Sequence, residues 1–346
     1  MKLYADSGPN FSVYGMKYLD ESRKLLVMFL NLIDRLEKSG YKDGKDMFSI
    51  HYDFRYIPNN YMVKHLRTVC TLNLKINQKK ITILTHSYGC YQILDALSKL
   101  SENFIQKHIE KVILTACPLG GTEKAVIAFL TGHRYIQWNE PSYQIFFIKH
   151  TLKYYETTFL MFPNKHFPNY NDVIYINKGK NYTTADIVKT LNNKQFSYYL
   201  KGQKVIENIF VFLEKCKKSP LFSLYCAYGE YPNSMNIKSF NKDTNFVEAT
   251  DGDATVPIKS LQMCSQYTSR NNSKVFLLQS KLNQHRLMIQ YPMYFVKIFT
   301  PKKGGMINPP VLCRLVFSCF SNKVVAMDGS NFEIIWLYEF LSHKSY

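Results

Sequence analysis

Acidic residues are scarce relative to basic ones. Asp and Glu number 26 against 44 Lys and Arg, a formal net charge of +18 over 346 residues. The excess is not concentrated: no run of five or more like charges occurs. No nucleic-acid signature accompanies it, which argues against nucleic acid as a partner. Two readings of the charge remain, attraction to an anionic surface such as a membrane or a bias toward Lys, Asn and Tyr throughout the chain. Among eight cysteines and nine histidines there is no CxxC pair and no His/Cys set at metal-ligand spacing. Neither a zinc site nor any cofactor is expected. No uncharged apolar run reaches membrane-spanning length. The opening MKLYADSGPNFSVYG lacks a basic start followed by an apolar stretch, so no signal peptide is visible. Repeats and low-complexity blocks are missing too.

What is present fits a packed globular protein: 46% hydrophobic and 15% aromatic residues exclude disorder for most of the chain. The length suits one large domain with an insertion, or two domains. Apolar residues at helical spacing (Leu25, Leu26, Phe29, Leu32, Ile33, Leu36) predict an amphipathic helix within 24–36, stopped by Gly40. MFSIHY (47–52), ITILTH (81–86) and KVILTA (111–116) read as strands. The last two are continuous and β-branched, as strands buried on both faces are. Helices are expected over 61–76 and 91–100. That alternation predicts an α/β fold with a mostly parallel sheet.

From Pro118 to about Lys204 the rhythm is lost and aromatics dominate, with DVIYIN (172–177) as one strand. Regularity returns with a helix near 205–214, strands LFSLYCA (221–227) and KVFLLQ (274–279), and a final helix from Leu287. The expected organisation is therefore a core from 1–117 and 205–300, a cap from 118–204, and a C-terminal extension over 301–346. That extension holds the apolar runs VLCRLVFSCF and FEIIWLYEFL. Whether it adds strands, forms an odd tail or is mistranslated sequence stays open at this level.

Three motifs carry chemistry. Thr85-His86-Ser87-Tyr88-Gly89 lies directly after a buried strand and before a helix. A nucleophile elbow needs that context, because the sharp turn lifts the serine hydroxyl above the sheet edge. The Tyr88 N–H, opening the helix, would then be one oxyanion donor. Taken alone, the motif is equally an ordinary serine in a strand-to-helix loop. Asp251-Gly252-Asp253-Ala254-Thr255-Val256-Pro257 follows a late strand, where a triad carboxylate must sit to orient a histidine. Two aspartates compete there, and a plain Asp-Gly turn is the bland alternative. A calcium loop is not completed by its neighbours. His285, in LNQHRLM, follows KVFLLQ. Any one of nine histidines is more often structural than catalytic. The order Ser87, Asp253, His285 is what lends it weight, being the chain order of α/β-hydrolases.

Several segments in sequence order resemble the lecithin:cholesterol acyltransferase family across roughly residues 10–300. FSVYGMKYLDES resembles the lead into its first helix, HYDFRYIP its YDWR-x-x-P and THSYGC its G-H-S-[LM]-G elbow. TACPLGGT resembles G-x-P-[WFL]-G-G, while TTFLMFPNKHFP and YTTADI follow as in its cap. LYCAYGEYPNS resembles Y-G-x-x-x-P-T, DGDATVP resembles D-G-D-x-T-V, and NQHRLM resembles the catalytic histidine segment. The resemblance implies an α/β-hydrolase with the triad Ser87, Asp253 and His285, choosing Asp253 over Asp251. It implies a disulfide between Cys226 and Cys264, where the alternative is two buried thiols, and leaves Cys90 and Cys117 as single buried thiols. Asn181-Tyr182-Thr183 matches a family glycosylation sequon; Asn10 and Asn271 head two more.

The implied activity is acyl transfer from a phospholipid through an acyl-enzyme, to water or to a lipid alcohol, at a membrane or lipoprotein surface. The implied setting is secreted, lysosomal or membrane-associated. The chain also departs from the family. Thr85 replaces a glycine. No P-G or H-G motif precedes Ser87, so the chain is expected to begin after the family's oxyanion-loop strand and lid. One lost oxyanion donor typically costs ~10²–10³ in rate. That makes a catalytically impaired lipid-binding relative the alternative expectation.

Overall fold

The computed structural model describes residues 11–17, 29–133, 142–268, 274–279 and 314–320. Its strands are β1 Met47–Tyr52, β2 Ile81–His86, β3 Ile109–Thr115, β4 Tyr175–Asn177, β5 Lys180–Tyr182, β6 Ser223–Asn241, β7 Phe246–Gly252, β8 Lys274–Gln279 and β9 Arg314–Phe320. The α-helices before β4 are α1 Tyr14–Lys17, α2 Leu30–Lys38, α3 Asn60–Asn77, α4 Gly89–Ser98, α5 Glu102–His108, α6 Glu123–Thr131, α7 Ser142–Thr151 and α8 Glu156–Leu160. Those after it are α9 Thr184–Val188, α10 Asn193–Lys218 and α11 Ile258–Gln262.

The sheet runs β1-β9-β2-β3-β6, with β8 also pairing with the first half of β6. Every pair in this part is parallel. Every residue of β1 and β2 is buried, as a sheet covered on both faces requires. The fold is thus an α/β-hydrolase-type mixed structure with a mostly parallel sheet, as the alternation of elements predicts. The main core gathers Phe48, Ile50, Ile83, Leu94, Val112, Leu114, Ile206 and Leu213 from strands and helices together.

Strand β6 continues to Asn241, well past the segment 221–227 read from sequence. Its second half pairs antiparallel with β7 and borders the β4–β5 hairpin. A second core forms there. Val126, Phe129, Phe159, Phe162 and Tyr199 from the region 118–204 pack with Ile237, Phe240 and Val247. Among the described residues, no helix is long and apolar enough to cross a membrane.

Strand boundaries read from sequence hold for β1, β2 and β8, and helix α3 differs by one residue at each end. Helix α10 begins twelve residues earlier than the expected 205, at Asn193. Asn192 and Gln195 form a reciprocal capping box that starts it. The expected helix 24–36 is seen from Leu30 and ends at Lys38, ahead of Gly40, whose φ is 94°; its earlier part, and the helix from Leu287, lie outside the described residues. In the 301–346 segment, Arg314–Phe320 is a strand set centrally between β1 and β2.

Candidate active site

Ser87 sits between β2 and α4 with φ of 53°. That left-handed conformation strains a residue bearing a Cβ, and such strain gathers at functional turns. The turn is pinned on each side. Ser87 N–H donates to Thr115 O at 2.9 Å, and Cys90 N–H donates to Ser87 O at 3.0 Å. Ser87 is 7% exposed, at the carboxyl end of a parallel strand, the edge where α/β sheets place their chemistry.

Thr85 departs from glycine without breaking the turn. Its hydroxyl donates to Ile113 O at 3.2 Å and lies 3.0 Å from Cys90 Sγ. A fully buried hydroxyl is thereby satisfied. Tyr88, which caps α4, is anchored through its ring. Its hydroxyl donates to Tyr56 O at 2.7 Å and accepts from Gln92 Nε2 at 3.0 Å. Burial pushes the Tyr88 and Tyr91 phenols well up, so both stay neutral. Tyr91 hydroxyl donates to Pro118 O, tying the helix after Ser87 to the loop after β3. Burial, with the Cys90 thiol beside it, also pushes the Cys117 thiol well up.

Asp253 follows β7 and is fully buried. Its Oδ1 accepts from Thr255 N–H at 2.9 Å and from Val256 N–H at 2.7 Å. Its own N–H donates to Val256 O at 3.2 Å. These bonds wrap a tight turn around the carboxylate and fix its direction. Asp251, by contrast, is exposed. Gly252 must lack a side chain: a Cβ there would lie 2.0 Å from Asn236 Nδ2 and 2.2 Å from Val256 O.

A relay of neighbours links the Ser87 turn to the Asp253 turn. Thr115 O accepts from Ser87 N–H, and Ala116 N–H donates to Ala227 O at 2.8 Å. Ala116 then packs with Tyr228, Val256 and Leu261. Thr122 hydroxyl donates to Thr255 O at 3.4 Å, and Gly120 N–H donates to Ser260 Oγ at 2.9 Å. Asn164 braces the same loop, with Nδ2 donating to Leu119 O at 2.7 Å and N–H donating to Gly120 O at 3.1 Å. Sequence reading missed Thr122, Asn164 and Ser260. Nothing in a lone Asn or Ser marks it as a brace before its partner, some 40 to 140 residues away, is known.

Strand β8 ends at Gln279, paired in parallel with Glu230 of β6. His285 lies six residues further on and outside the described residues, as do Asn10 and Asn271, which head the other two sequons. Cys226 and Cys264 are joined as a disulfide, linking β6 to the turn after α11. Asn181 lies exposed in β5. No cluster of three His, Cys, Asp or Glu able to hold a metal occurs among the described residues.

Residues 1–215 match the family described as lecithin:cholesterol acyltransferase. The lysosomal phospholipase A and acyltransferase of Mus musculus is 24% identical over 289 residues, covering 81% of this chain and 68% of that protein. The phosphatidylcholine-sterol acyltransferase of Mus musculus is 22% identical over 285 residues, 79% of this chain and 62% of that protein. The lysosomal phospholipase A and acyltransferase of Homo sapiens is 23% identical over 289 residues, with 81% and 68% covered. The chain thus spans about two thirds of the length of these relatives.

Proposed function

Because the chain belongs to the lecithin:cholesterol acyltransferase family, we propose that it is a serine-dependent lipid acyltransferase or phospholipase using Ser87, Asp253 and His285. The observation that carries the proposal is Ser87 at φ 53° on a pinned strand-to-helix turn. A nucleophile elbow holds its serine on such a strained turn so that the hydroxyl stands clear above the sheet.

In the proposed cycle, His285 takes the Ser87 proton as Oγ attacks an ester carbonyl of a phospholipid. Asp253, held by its two amide donors, orients the imidazole and stabilises its cation. The oxyanion accepts from Tyr88 N–H at the start of α4, with a second donor opposite. The tetrahedral intermediate collapses, the ester C–O bond breaks, and the imidazolium returns its proton to the departing lysophospholipid alkoxide. Water or a lipid hydroxyl then attacks the acyl-enzyme, giving a free fatty acid or a new ester.

Residues 118–204 would cap the acyl pocket over the core 1–117 and 205–300. Asn181 would carry a glycan. A disulfide at Cys226–Cys264 fits an oxidising compartment, so a secreted or lysosomal setting belongs to the same reading.

The test is intact mass after exposure to a fluorophosphonate. One adduct on the native chain, absent from Ser87→Ala, is expected. A folded chain that forms no adduct would instead support the impaired lipid-binding relative.

A further inference from the structure

Helix α10 buries one side and leaves large apolar residues in water on the other. Phe196 is 42% exposed, Leu200 52% and Val211 68%. At 100° per residue these three fall within an arc of about 60° on one face. They are not scattered singles, which would need no explanation. Lys204, Lys215 and Lys218 share that face by the same spacing, and all are exposed. Flanking it is a second stripe. Lys194 Nζ lies 5.8 Å from the ring centres of both Tyr154 and Tyr198, and Lys201 Nζ lies 5.6 Å from Tyr198. Tyr154, just after α7, is itself 67% exposed. Within α10, six lysines stand against two glutamates, Glu207 and Glu214, both of which fall on the same face. Glu207 is engaged by Lys165 and His166, while Lys201 pairs with Glu156 and Lys215 with Glu102, so the face keeps a net excess of ammonium groups.

Exposed aromatic and aliphatic side chains interleaved with ammonium groups are what a bilayer interface selects. The apolar parts enter the acyl boundary, the rings sit at headgroup level, and the lysines meet anionic lipid. We propose that the outer face of α10, with Tyr154 beside it, docks the protein onto an anionic phospholipid surface. The proposal deepens the lipid-enzyme reading above and rests on it for its purpose, though not for its binding test. Charge complementarity selects the occupant: the chain carries +18, and a neutral protein partner would not require the lysine frame.

The experiment is co-sedimentation of the full chain with vesicles of phosphatidylcholine alone, and with about a third phosphatidylserine. Two variants are compared, Phe196→Ser with Leu200→Ser, and Lys194→Gln with Lys201→Gln and Lys204→Gln. Hydrolysis of a water-soluble short-chain ester is followed in parallel. Native chain should prefer the anionic vesicles. Each lysine removed should weaken that binding about fivefold, and the apolar pair about tenfold. Thermal unfolding midpoints should match that of the native chain, and soluble-ester turnover should fall by less than the vesicle binding does. Undiminished vesicle binding in both variants overturns the proposal, and so does equal binding to both vesicle types. Failure of the native chain to bind any vesicle overturns it too and leaves the face to a protein partner. Patch-dependent binding without ester turnover would sustain the docking face while removing the enzymatic reading.

Discussion

At the scale of single residues, the site depends on a few positions whose neighbours allow no alternative. Gly252→Ala would drive a methyl group into Val256 O, a backbone atom that cannot rotate away. The Asp253 turn must open to admit it, so stability should fall by about 1–3 kcal/mol. Ester turnover should fall further than stability alone accounts for, as a thermal unfolding midpoint measured beside a rate would show. Glu123 offers a second prediction. It is 1% exposed at the first position of α6, and its Oε2 has no hydrogen-bond partner. Burial pushes its carboxyl up to about 8; Asp172 adds to the rise, while Lys238 and Lys259 oppose it. The folded state therefore holds a proton that the unfolded chain releases near 4.5. Stability from this group is full below about pH 4.5 and lost progressively as pH rises through about 8. Urea midpoints should be higher at pH 5 than at pH 8, and Glu123→Gln should flatten the difference. An unchanged slope in that variant would assign the pH dependence elsewhere.

Much of this residue level was legible in the sequence. Ser87 was visible because an elbow requires a strand before it and a helix after it, and both are strongly patterned. The choice of Asp253 over Asp251 rests on resemblance alone; the structure adds that Asp253 is buried and Asp251 exposed. Glu123 was invisible. A glutamate in the first turn of a helix reads as an ordinary dipole partner, and only the packing around it reveals a buried carboxyl.

At the scale of elements, periodicity finds the short buried strands because each is a short, mostly apolar run, β-branched in β2 and β3. It failed on β6, whose 19 residues change partners midway and include Pro232 and Asn233, turn-forming types that read as an ending. It also missed the first three turns of α10, where the exposed Phe196 and Leu200 blur the apolar stripe. The disulfide ties this long strand to the segment after α11. Its loop spans 38 residues, for which chain-entropy reasoning gives about 4 kcal/mol. Cys226→Ala with Cys264→Ala should lower the denaturant midpoint accordingly. Fluorophosphonate labelling should persist where the doubly substituted chain remains folded, since the Asp253 turn is closed by its own hydrogen bonds. Loss of labelling in a folded variant would show that the crosslink positions the acid.

At the scale of the whole molecule, connectivity is the level the sequence conceals most. A strand near the C-terminus, β9, pairs with β1 on one side and β2 on the other. Strands lie about 4.8 Å apart, so β1 and β2 cannot meet across the vacancy its removal would create. Both would present open edges, and one of them carries Ser87. Pattern alone marks VLCRLVFSCF as apolar; it cannot show that the segment closes a sheet begun more than 260 residues earlier. The register also brings Ser318 level with Thr85, two residues before Ser87. A chain ending at residue 300 should therefore lose fluorophosphonate labelling and expose apolar surface to a hydrophobic dye. A synthetic peptide spanning 309–322, added in trans, should restore labelling, because parallel pairing to both neighbours needs only the strand and not its covalent link. Full labelling of the truncated chain would show that β2 holds Ser87 without this neighbour. Failure of the peptide to rescue a truncated chain that remains soluble would overturn that reading and show that closure must occur while the strand is tethered.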